Sequence, residues 1–150
     1  MKLLVEELRD GSSLSQSFSF NLEKRAEIKG FYPYLFMSNA PTGTFTFSVT
    51  GTNGFSFSKS FTSQDIKNCI PTVNSNIHVF FPILPSAPIF LSKGDYTMTL
   101  SSTGYFYNRG SFVGWIKQFE NLNVPLSYTP SNDAENPLAF RLKVFKEGIL

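Results

Sequence analysis

The sequence has few residues that serve as nucleophiles, bases or soft metal ligands: its 150 residues include one cysteine, Cys69, and one histidine, His78. A lone cysteine excludes an intramolecular disulfide and a zinc site built from the cysteines of one chain. No Gly-x-Ser-x-Gly or Cys-His motif accompanies His78. Asp133 and Glu135 lie in a polar loop that lacks the glycine and the spacing of a calcium loop. We therefore expect a protein that is not an enzyme, with no catalytic residues, no metal and no obligatory cofactor.

Long apolar runs and concentrated charge are also missing. The apolar run at residues 3–5 ends at Glu6 and Glu7, which argues against a signal peptide, and no stretch reaches the length of a membrane span. The net charge is +2 and the 13 basic residues are scattered. No glycine-rich loop precedes a helix, as a phosphate site requires. These features predict a soluble protein made in a cytoplasm, without membrane or nucleic acid as a partner.

Aromatic residues, by contrast, are abundant: the chain has 17 Phe, 6 Tyr and 1 Trp. Each ring removes on the order of 150–250 Å² from water when it is enclosed. A chain of this length buries roughly two-thirds of the surface that its unfolded form exposes. The composition therefore predicts one folded domain with a single aromatic core.

The clearest pattern is an alternation of apolar and polar residues over residues 41–63. Phe45, Phe47 and Val49 alternate with Thr and Ser, and Phe55 and Phe57 repeat the alternation after a turn at 51–54. Side chains of a strand point to opposite faces in turn, and Asn-Gly tolerates the positive φ of a hairpin turn. The pattern predicts an antiparallel hairpin with one buried face and one wet face.

Similar alternation at residues 15–20, 76–83, 96–100 and 138–144 predicts further strands. A short helical turn is expected at 63–69, with Asp65 near its positive end. Regularly spaced short strands, with one long loop at 117–136, predict an all-β antiparallel sandwich or barrel of about eight strands. The inward positions predict a core that contains Phe45, Phe47, Phe57, Val79, Phe81, Tyr96, Met98, Leu100, Phe140 and Leu142.

The strand predicted at 26–37 is unusual because it is apolar on both faces after Gly30. A strand exposed on one side would alternate, so this one either lies between two layers or meets another subunit. Pro33 lacks a backbone donor, so the strand is expected to be bulged or at an edge, and Gly30 permits the same distortion.

Residues 1–10 can be interpreted in two ways. The segment is too short to be a stable helix alone, and it ends at the turn residues Asp10 and Gly11. One interpretation is an assembly arm that docks Leu3, Leu4 and Leu8 onto a neighbouring chain, with residues 1–14 as the arm and 15–150 as the sandwich domain. The other is an edge strand of the same sandwich, with Leu3 and Val5 inward.

Four residues around a turn at 108–111 are candidates for a ligand or interface rim. Tyr105, Tyr107 and Trp115 could stack on sugar rings while Arg109 donates to hydroxyls. The runs on either side of the turn also fit a second hairpin. Core packing and interface contacts explain the same residues, and we favour them over a sugar platform.

The order of these elements resembles the jelly-roll modules, akin to galactose-binding-like domains, of phage virion proteins and bacterial surface proteins. The resemblance is carried by residues 16–18, 28–31, 35–36, 41–47, 91–98 and 137–142. It implies a jelly-roll-like β-sandwich, and it supports the fold more than the function.

The resemblance also implies a function. We expect a non-enzymatic bacteriophage virion protein, either capsid decoration or a head or tail appendage, that assembles with copies of itself or with other virion proteins. It would reside in the virion after synthesis in the host cytoplasm. The alternative is a carbohydrate-binding module that recognises a cell-surface glycan.

Overall fold

The computed structural model describes residues 3–20, 25–72, 76–118, 128–130 and 142–149. Within these ranges the chain forms eleven strands and one helix, α1 (Ser63–Cys69). The strands are β1 (Leu3–Glu7), β2 (Leu14–Phe20), β3 (Ala26–Ser38), β4 (Thr44–Gly51), β5 (Ser56–Phe61), β6 (Asn76–Phe80), β7 (Ile89–Leu91), β8 (Gly94–Thr103), β9 (Phe112–Gln118), β10 (Tyr128–Pro130) and β11 (Leu142–Ile149).

These strands form two antiparallel sheets. The first has six strands: β1 pairs with β9, and β3 pairs with four others. At Leu35–Ser38, β3 has β9 on one edge and β6 on the other, and at Ala26–Ile28 it has β11 on one edge and β7 on the other. The second has five strands in the order β10-β2-β8-β4-β5. The prediction of an all-β antiparallel protein with one short helix is confirmed. The last strand that the structure describes is Leu142–Ile149; it overlaps the predicted strand at 138–144, of which 138–141 lie outside the described residues.

The pairings that link early and late strands are nested. β4 pairs with β5, β3 with β6, β2 with β8 and β1 with β9, all antiparallel. The first part of the chain therefore runs back along the second part, as in one long hairpin. The long hairpin folds over on itself, and its strands then pair side by side: β3 pairs with β9, and β4 pairs with β8. These additional pairs produce the two sheets.

The predicted hairpin is β4 and β5, with Phe47 opposite Lys59 and Val49 opposite Phe57. Burial alternates along β4, so the hydroxyl residues lie on the solvent face. The turn closes through a 2.9 Å bond from the Gly51 amide to the Phe55 carbonyl oxygen. Gly54 takes a φ of +90°, whereas Asn53 keeps a negative φ and accepts a hydrogen bond from the Phe55 amide instead.

Aromatic rings from both sheets meet between them. Phe47 of β4 contacts Trp115 of β9 edge-on, with 5.8 Å between ring centroids, and lies 6.0 Å from Phe31 of β3. Six of the predicted core residues are buried: Phe45, Phe47, Phe81, Tyr96, Met98 and Leu100. Phe57 and Val79 are partly buried against this core. The side chains of Phe140 and Leu142 lie outside what the structure describes.

Helix α1 forms where the sequence predicts a helical turn. The carboxylate of Asp65 accepts a 2.9 Å hydrogen bond from the backbone amide of Thr62, the residue before the helix. This contact satisfies a donor that the first turn leaves without an intrahelical partner. Ile66 projects from the helix into the core. The helix therefore closes one end of the space between the sheets.

The N-terminal segment is an edge strand, which corrects the prediction of a separate arm at 1–14. β1 pairs with β9 over its whole length, with Leu3 opposite Gln118 and Leu4 opposite Lys117. Leu8 is 0% exposed and belongs to the core, so it cannot dock onto a neighbouring chain. The side chains of Leu3 and Leu4 are outside the described part. Val5, which the edge-strand interpretation places inward, is instead 37% exposed.

Candidate functional site

The candidate site is the outward face of the six-stranded sheet, organised around β3. Phe31, Leu35 and Met37 of this strand lie in the core. The alternate residues Tyr34 and Phe36 are half-buried on the opposite face. Since strand side chains alternate, both rows of apolar residues in β3 are accounted for: one row faces the other sheet and the second faces outward. The sequence signal of a two-sided apolar strand therefore located this face.

Neighbouring strands extend the row of rings. Phe80 of β6 is opposite Tyr34, and their rings stack at 4.3 Å with an interplanar angle of 12°. Phe36 lies 5.5 Å from the ring of His78 and 5.4 Å from that of Phe112 on β9. Aromatic pairs at such distances stabilise one another by roughly 0.5–1.5 kcal/mol each beyond their burial. The rings thus form a continuous layer across three strands.

The layer continues towards the other end of β3 through Tyr32 and Leu84. A Cβ added to Gly30 would lie 2.8 Å from the Tyr32 ring and 2.9 Å from Leu84 Cδ2, so these two side chains cover the glycine backbone. Leu84 itself is 43% exposed. Next to Gly30, the pairing of β11 with β3 shifts by one residue, which agrees with the distortion expected there. We call the whole surface the outer aromatic face; it consists of Tyr32, Tyr34, Phe36, His78, Phe80, Leu84, Tyr107 and Phe112.

At the margin of this face, the charged side chains of Arg9 and Glu7 contact Tyr107. The Tyr107 ring lies 5.7 Å from the Phe112 ring, and the guanidinium carbon of Arg9 lies 3.8 Å from the Tyr107 centroid. The Tyr107 hydroxyl donates a 2.9 Å hydrogen bond to Glu7, which also pairs with Arg9 at 2.8 Å. Desolvation and the bond to Glu7 raise the pKa of Tyr107. The margin therefore carries one charge of each sign beside a neutral phenol.

The predicted rim of four residues is not formed, and this corrects the sequence interpretation. Tyr105 and Trp115 are in the core, where register places Trp115 opposite Leu35. Tyr107 belongs to the outer aromatic face, and Arg109 is exposed in the turn. The turn is closed by a bridge between Asn108 and Ser111, but the residues before it do not form a strand. Core packing explains two of the four residues.

Tyr105 fastens the N-terminal segment inside the core. Its hydroxyl donates a 2.8 Å hydrogen bond to the carbonyl oxygen of Leu8 and accepts one of 3.2 Å from the amide of Val113. A further bond of 2.9 Å runs from the Leu8 amide to the Val113 carbonyl oxygen. Desolvation is the main reason why the pKa of Tyr105 is raised. This residue is structural, and it fixes the edge of the sheet that bears the outer aromatic face.

The other polar candidates do not converge on a reaction centre within the described ranges. His78 is exposed among the rings, and Cys69 is exposed at the end of α1, where desolvation and the charge of Asp65 raise its pKa. No group of three or more His, Cys, Asp or Glu residues comes together there. Asp133 and Glu135 fall outside those ranges. Over the same ranges, no helix is long and apolar enough to cross a membrane.

Sequence reasoning found the centre of the outer aromatic face but missed its extent. Phe112 lies in the same short apolar run as Trp115, at 112–116. Because adjacent residues of a strand point to opposite faces, strict alternation over this run places Phe112 and Trp115 on different faces. The contributions of Leu84 and Tyr107 carry no periodic signal, because both residues lie outside regular strands.

Comparison with protein-family models, with curated proteins and with solved structures finds no match to this chain. The features of the molecule itself therefore have to support its function.

Proposed function

We propose that the chain is a non-enzymatic structural protein of a virus particle, and that its outer aromatic face binds a second copy of the chain. The observation that carries the self-association is the layer of stacked rings, several of them half-buried, on the sheet face that points away from the five-stranded sheet; among the described strands, none lies over this face. The resemblance to phage virion modules motivates the place in a particle, either as capsid decoration or as a head or tail appendage.

We also propose that the fold is a jelly roll. A jelly roll is a double-sheet structure of eight strands arranged as two Greek keys. The nested pairs of β1 with β9, β2 with β8, β3 with β6 and β4 with β5 support this assignment. The strand orders β1-β9-β3-β6 and β2-β8-β4-β5 are those produced when such a ribbon rolls into two sheets. In this assignment β7, β10 and β11 are additions to the eight-strand framework.

The outer aromatic face has the size of the centre of a protein interface. Its β3 residues run from Tyr32 to Phe36, which at about 3.3 Å per residue extend over roughly 16 Å. Three to four strands spaced about 4.8 Å apart give the face an area of about 300 Å². A stable protein interface buries about 800 Å² on each partner, with an apolar centre and a polar rim. Two copies that meet through this face would therefore bury the rings at the centre of a contact whose rim extends onto the surrounding surface.

The composition of the face also fits a symmetric contact. Aromatic residues are enriched at the centres of protein interfaces, whereas charged residues are depleted there. The centre of this face is aromatic, and its margin carries Arg9 and Glu7, which are opposite charges. In an isologous contact the same patch serves on both subunits, so its charges have to balance within one patch. The pairing of Arg9 with Glu7 meets that requirement.

The test is the mass of the protein in solution over a dilution series, measured by analytical ultracentrifugation. We expect an oligomer for the native sequence and a monomer for Tyr34→Glu, because the new carboxylate would be buried without a partner. The matched control is Ser48→Glu, which places the same carboxylate in a strand on the outward face of the other sheet. This variant should remain oligomeric. Circular dichroism establishes that both variants are folded, and Tyr34→Ser replaces Tyr34→Glu if the latter unfolds.

A native protein that stays monomeric at every concentration would overturn the self-association. Equal loss of assembly in Ser48→Glu would show that the interface is elsewhere. The place in a virion is tested separately, by mass spectrometry of purified particles from the virus or prophage that carries the gene. Particles that form without the protein in stoichiometric amount would refute the structural role.

A further inference from the structure

A second surface of the molecule is polar and lies on the five-stranded sheet. The outward positions of β2, β8, β4 and β5 are occupied by Ser and Thr, which the register aligns in rows across the strands. One row is Ser17, Thr97, Thr50 and Ser56, and the next is Ser15, Thr99, Ser48 and Ser58. At one end of these rows the surface sinks into an open cavity of about 470 Å³. The cavity is lined by Ser17, Thr50, Gly51, Thr52, Asp95, Tyr96 and Thr97.

The carboxylate of Asp95 is oriented within this cavity. The Ser19 hydroxyl donates a 2.7 Å hydrogen bond to Oδ1, and the Thr52 amide donates one of 3.0 Å to the carbonyl oxygen of Asp95. In the part of the chain that the structure describes, the second carboxylate oxygen, Oδ2, has no hydrogen bond. One oxygen therefore fixes the group, while the other can accept bonds from a ligand.

Gly51 lines the cavity with its backbone alone. A Cβ at this position would lie 2.5 Å from the Asn53 side-chain oxygen and 2.7 Å from the Tyr96 ring, so a larger residue would displace these two side chains. The Tyr96 ring is itself held in place, because its hydroxyl accepts a 3.1 Å bond from the Asn53 amide nitrogen. The base of the cavity is therefore rigid before any ligand arrives.

The chemistry of the lining selects a class of ligand. Serine and threonine hydroxyls both donate and accept, and an ionised carboxylate accepts strongly from hydroxyl groups. Among the described residues no lysine, arginine or histidine lines the cavity, so a phosphate or sulfate would meet the negative charge of Asp95 without a compensating cation. A neutral ligand that is rich in hydroxyl groups matches both conditions.

We propose that this cavity binds one ring of a neutral glycan, with Asp95 accepting hydrogen bonds from sugar hydroxyls and Ser17, Thr50 and Thr97 contacting the remaining ones. Its volume falls within the range of roughly 300–1,000 Å³ that is usual for ligand sites. Binding by a single ring is weak, since the Tyr96 ring is buried and offers no open face for stacking. The rows of hydroxyl side chains that continue from the cavity along the sheet suit further rings of the same chain. This site is separate from the rim around Tyr105 and Trp115 and does not depend on self-association.

The experiment is a titration of the ¹⁵N-labelled protein, followed by NMR, with glucose, galactose, mannose and N-acetylglucosamine one at a time. We expect saturable shifts of amides at 17, 50–52 and 95–97 with at least one sugar. Asp95→Asn keeps the bond with Ser19 but loses the charge, and it should weaken the affinity roughly tenfold, since bonds to ionised groups are about twice as strong as neutral ones. Thr97→Val should also weaken binding. The matched control Thr99→Val, one row further along the same strand face, should bind like the native protein.

Several outcomes would overturn the proposal. They are the absence of saturable shifts with all four sugars, equal affinity for Asp95→Asn, or tighter binding of glucose 6-phosphate than of glucose. Chemical-shift changes confined to amides of the outer aromatic face would show that the sugar binds there and not in the Asp95 cavity. That result would also refute the proposed site. The amide spectrum of each variant without sugar reports whether it is folded, and Thr97→Val remains informative if Asp95→Asn is not.

Discussion

Tyr105 and Leu8, 97 residues apart in the chain, are joined by a 2.8 Å hydrogen bond from the tyrosine hydroxyl to the leucine carbonyl oxygen. The same hydroxyl accepts a bond from the Val113 amide, so one buried oxygen links the N-terminal segment to β9. This side chain therefore adds to the β1–β9 ladder in fixing the sheet edge that borders the outer aromatic face.

Tyr105→Phe should destabilise the protein by about 1–3 kcal/mol, because the buried Leu8 carbonyl and Val113 amide each lose a partner. Tyr107→Phe is the matched control: it removes one hydroxyl whose partner Glu7 remains accessible to water, and it should lower stability much less than Tyr105→Phe does. Urea unfolding at neutral pH measures both values. Equal effects would mean that the Tyr105 hydroxyl is not the link described.

The ionisation of Tyr105 should lower the free energy of unfolding at alkaline pH. Its folded pKa is raised above the usual value for tyrosine because burial disfavours the ionised form. This contribution is fully present below the unfolded pKa of about 10 and is lost as the pH rises through the folded pKa. The free-energy difference between native protein and Tyr105→Phe should therefore shrink above about pH 10. Urea midpoints measured across that range test this, and a difference that stays constant would contradict it.

Leu8→Ala should destabilise the isolated chain by about 2–5 kcal/mol, the usual cost of truncating a fully buried leucine. Val5→Ala, three residues earlier on the exposed outward side of β1, should change stability by no more than about 0.5 kcal/mol. Thermal unfolding of the two variants compares them directly. An unchanged melting temperature for Leu8→Ala would contradict the edge strand and favour the assembly arm.

Phe47→Ala should cost about 3–5 kcal/mol, since the ring is buried and contacts both Trp115 and Phe31. Thr46→Ala on the next residue removes a hydroxyl that shares a 2.9 Å bond with Ser60 on the solvent face, and it should cost less than about 1 kcal/mol. Chemical denaturation distinguishes the two, and equal losses would mean that the faces of β4 are reversed.

Gly114→Ala should loosen β1 from β9. The new Cβ would lie 2.5 Å from Val5 Cγ1 and 2.9 Å from the Glu6 carbonyl oxygen, which belongs to the backbone and cannot rotate away. Crowding of this kind costs about 1–3 kcal/mol. Gly110→Ala, where the new Cβ would lie 3.6 Å from Asn108 Oδ1, is the control and should be nearly neutral. Hydrogen exchange should be faster in β1 for Gly114→Ala alone; unchanged protection there would contradict the close approach.

The parts of the fold that the sequence predicted are those with local signals. Strict alternation and the Asn53-Gly54 turn predicted the β4–β5 hairpin, and a capping residue followed by Asp65 predicted helix α1. The two apolar rows of β3 predicted an outward apolar face. Each of these features is written in neighbouring residues, so no knowledge of strand order was needed.

The parts that were missed depend on which strands pair. Trp115 could have pointed to either side until its register opposite Leu35 was known. The five residues of β1 could be an arm or a strand, because only the distant β9 supplies its partner. The cavity at Asp95 joins positions around 17, 50 and 95, which become neighbours through the β2–β8 and β4–β8 registers. No local pattern contains that information.

The nested pairing fixes an order of events during synthesis. β4 and β5 are adjacent in the chain and can pair as soon as both have been made, whereas β1 has no partner until residue 112 begins β9. Contacts between distant segments form late, because closing longer loops costs more entropy. β1 is thus made before the other described strands and is among the last of them to be paired, and until then its edge is exposed to other chains. A ribosome that stalls before residue 112 would leave β1 without its partner strand.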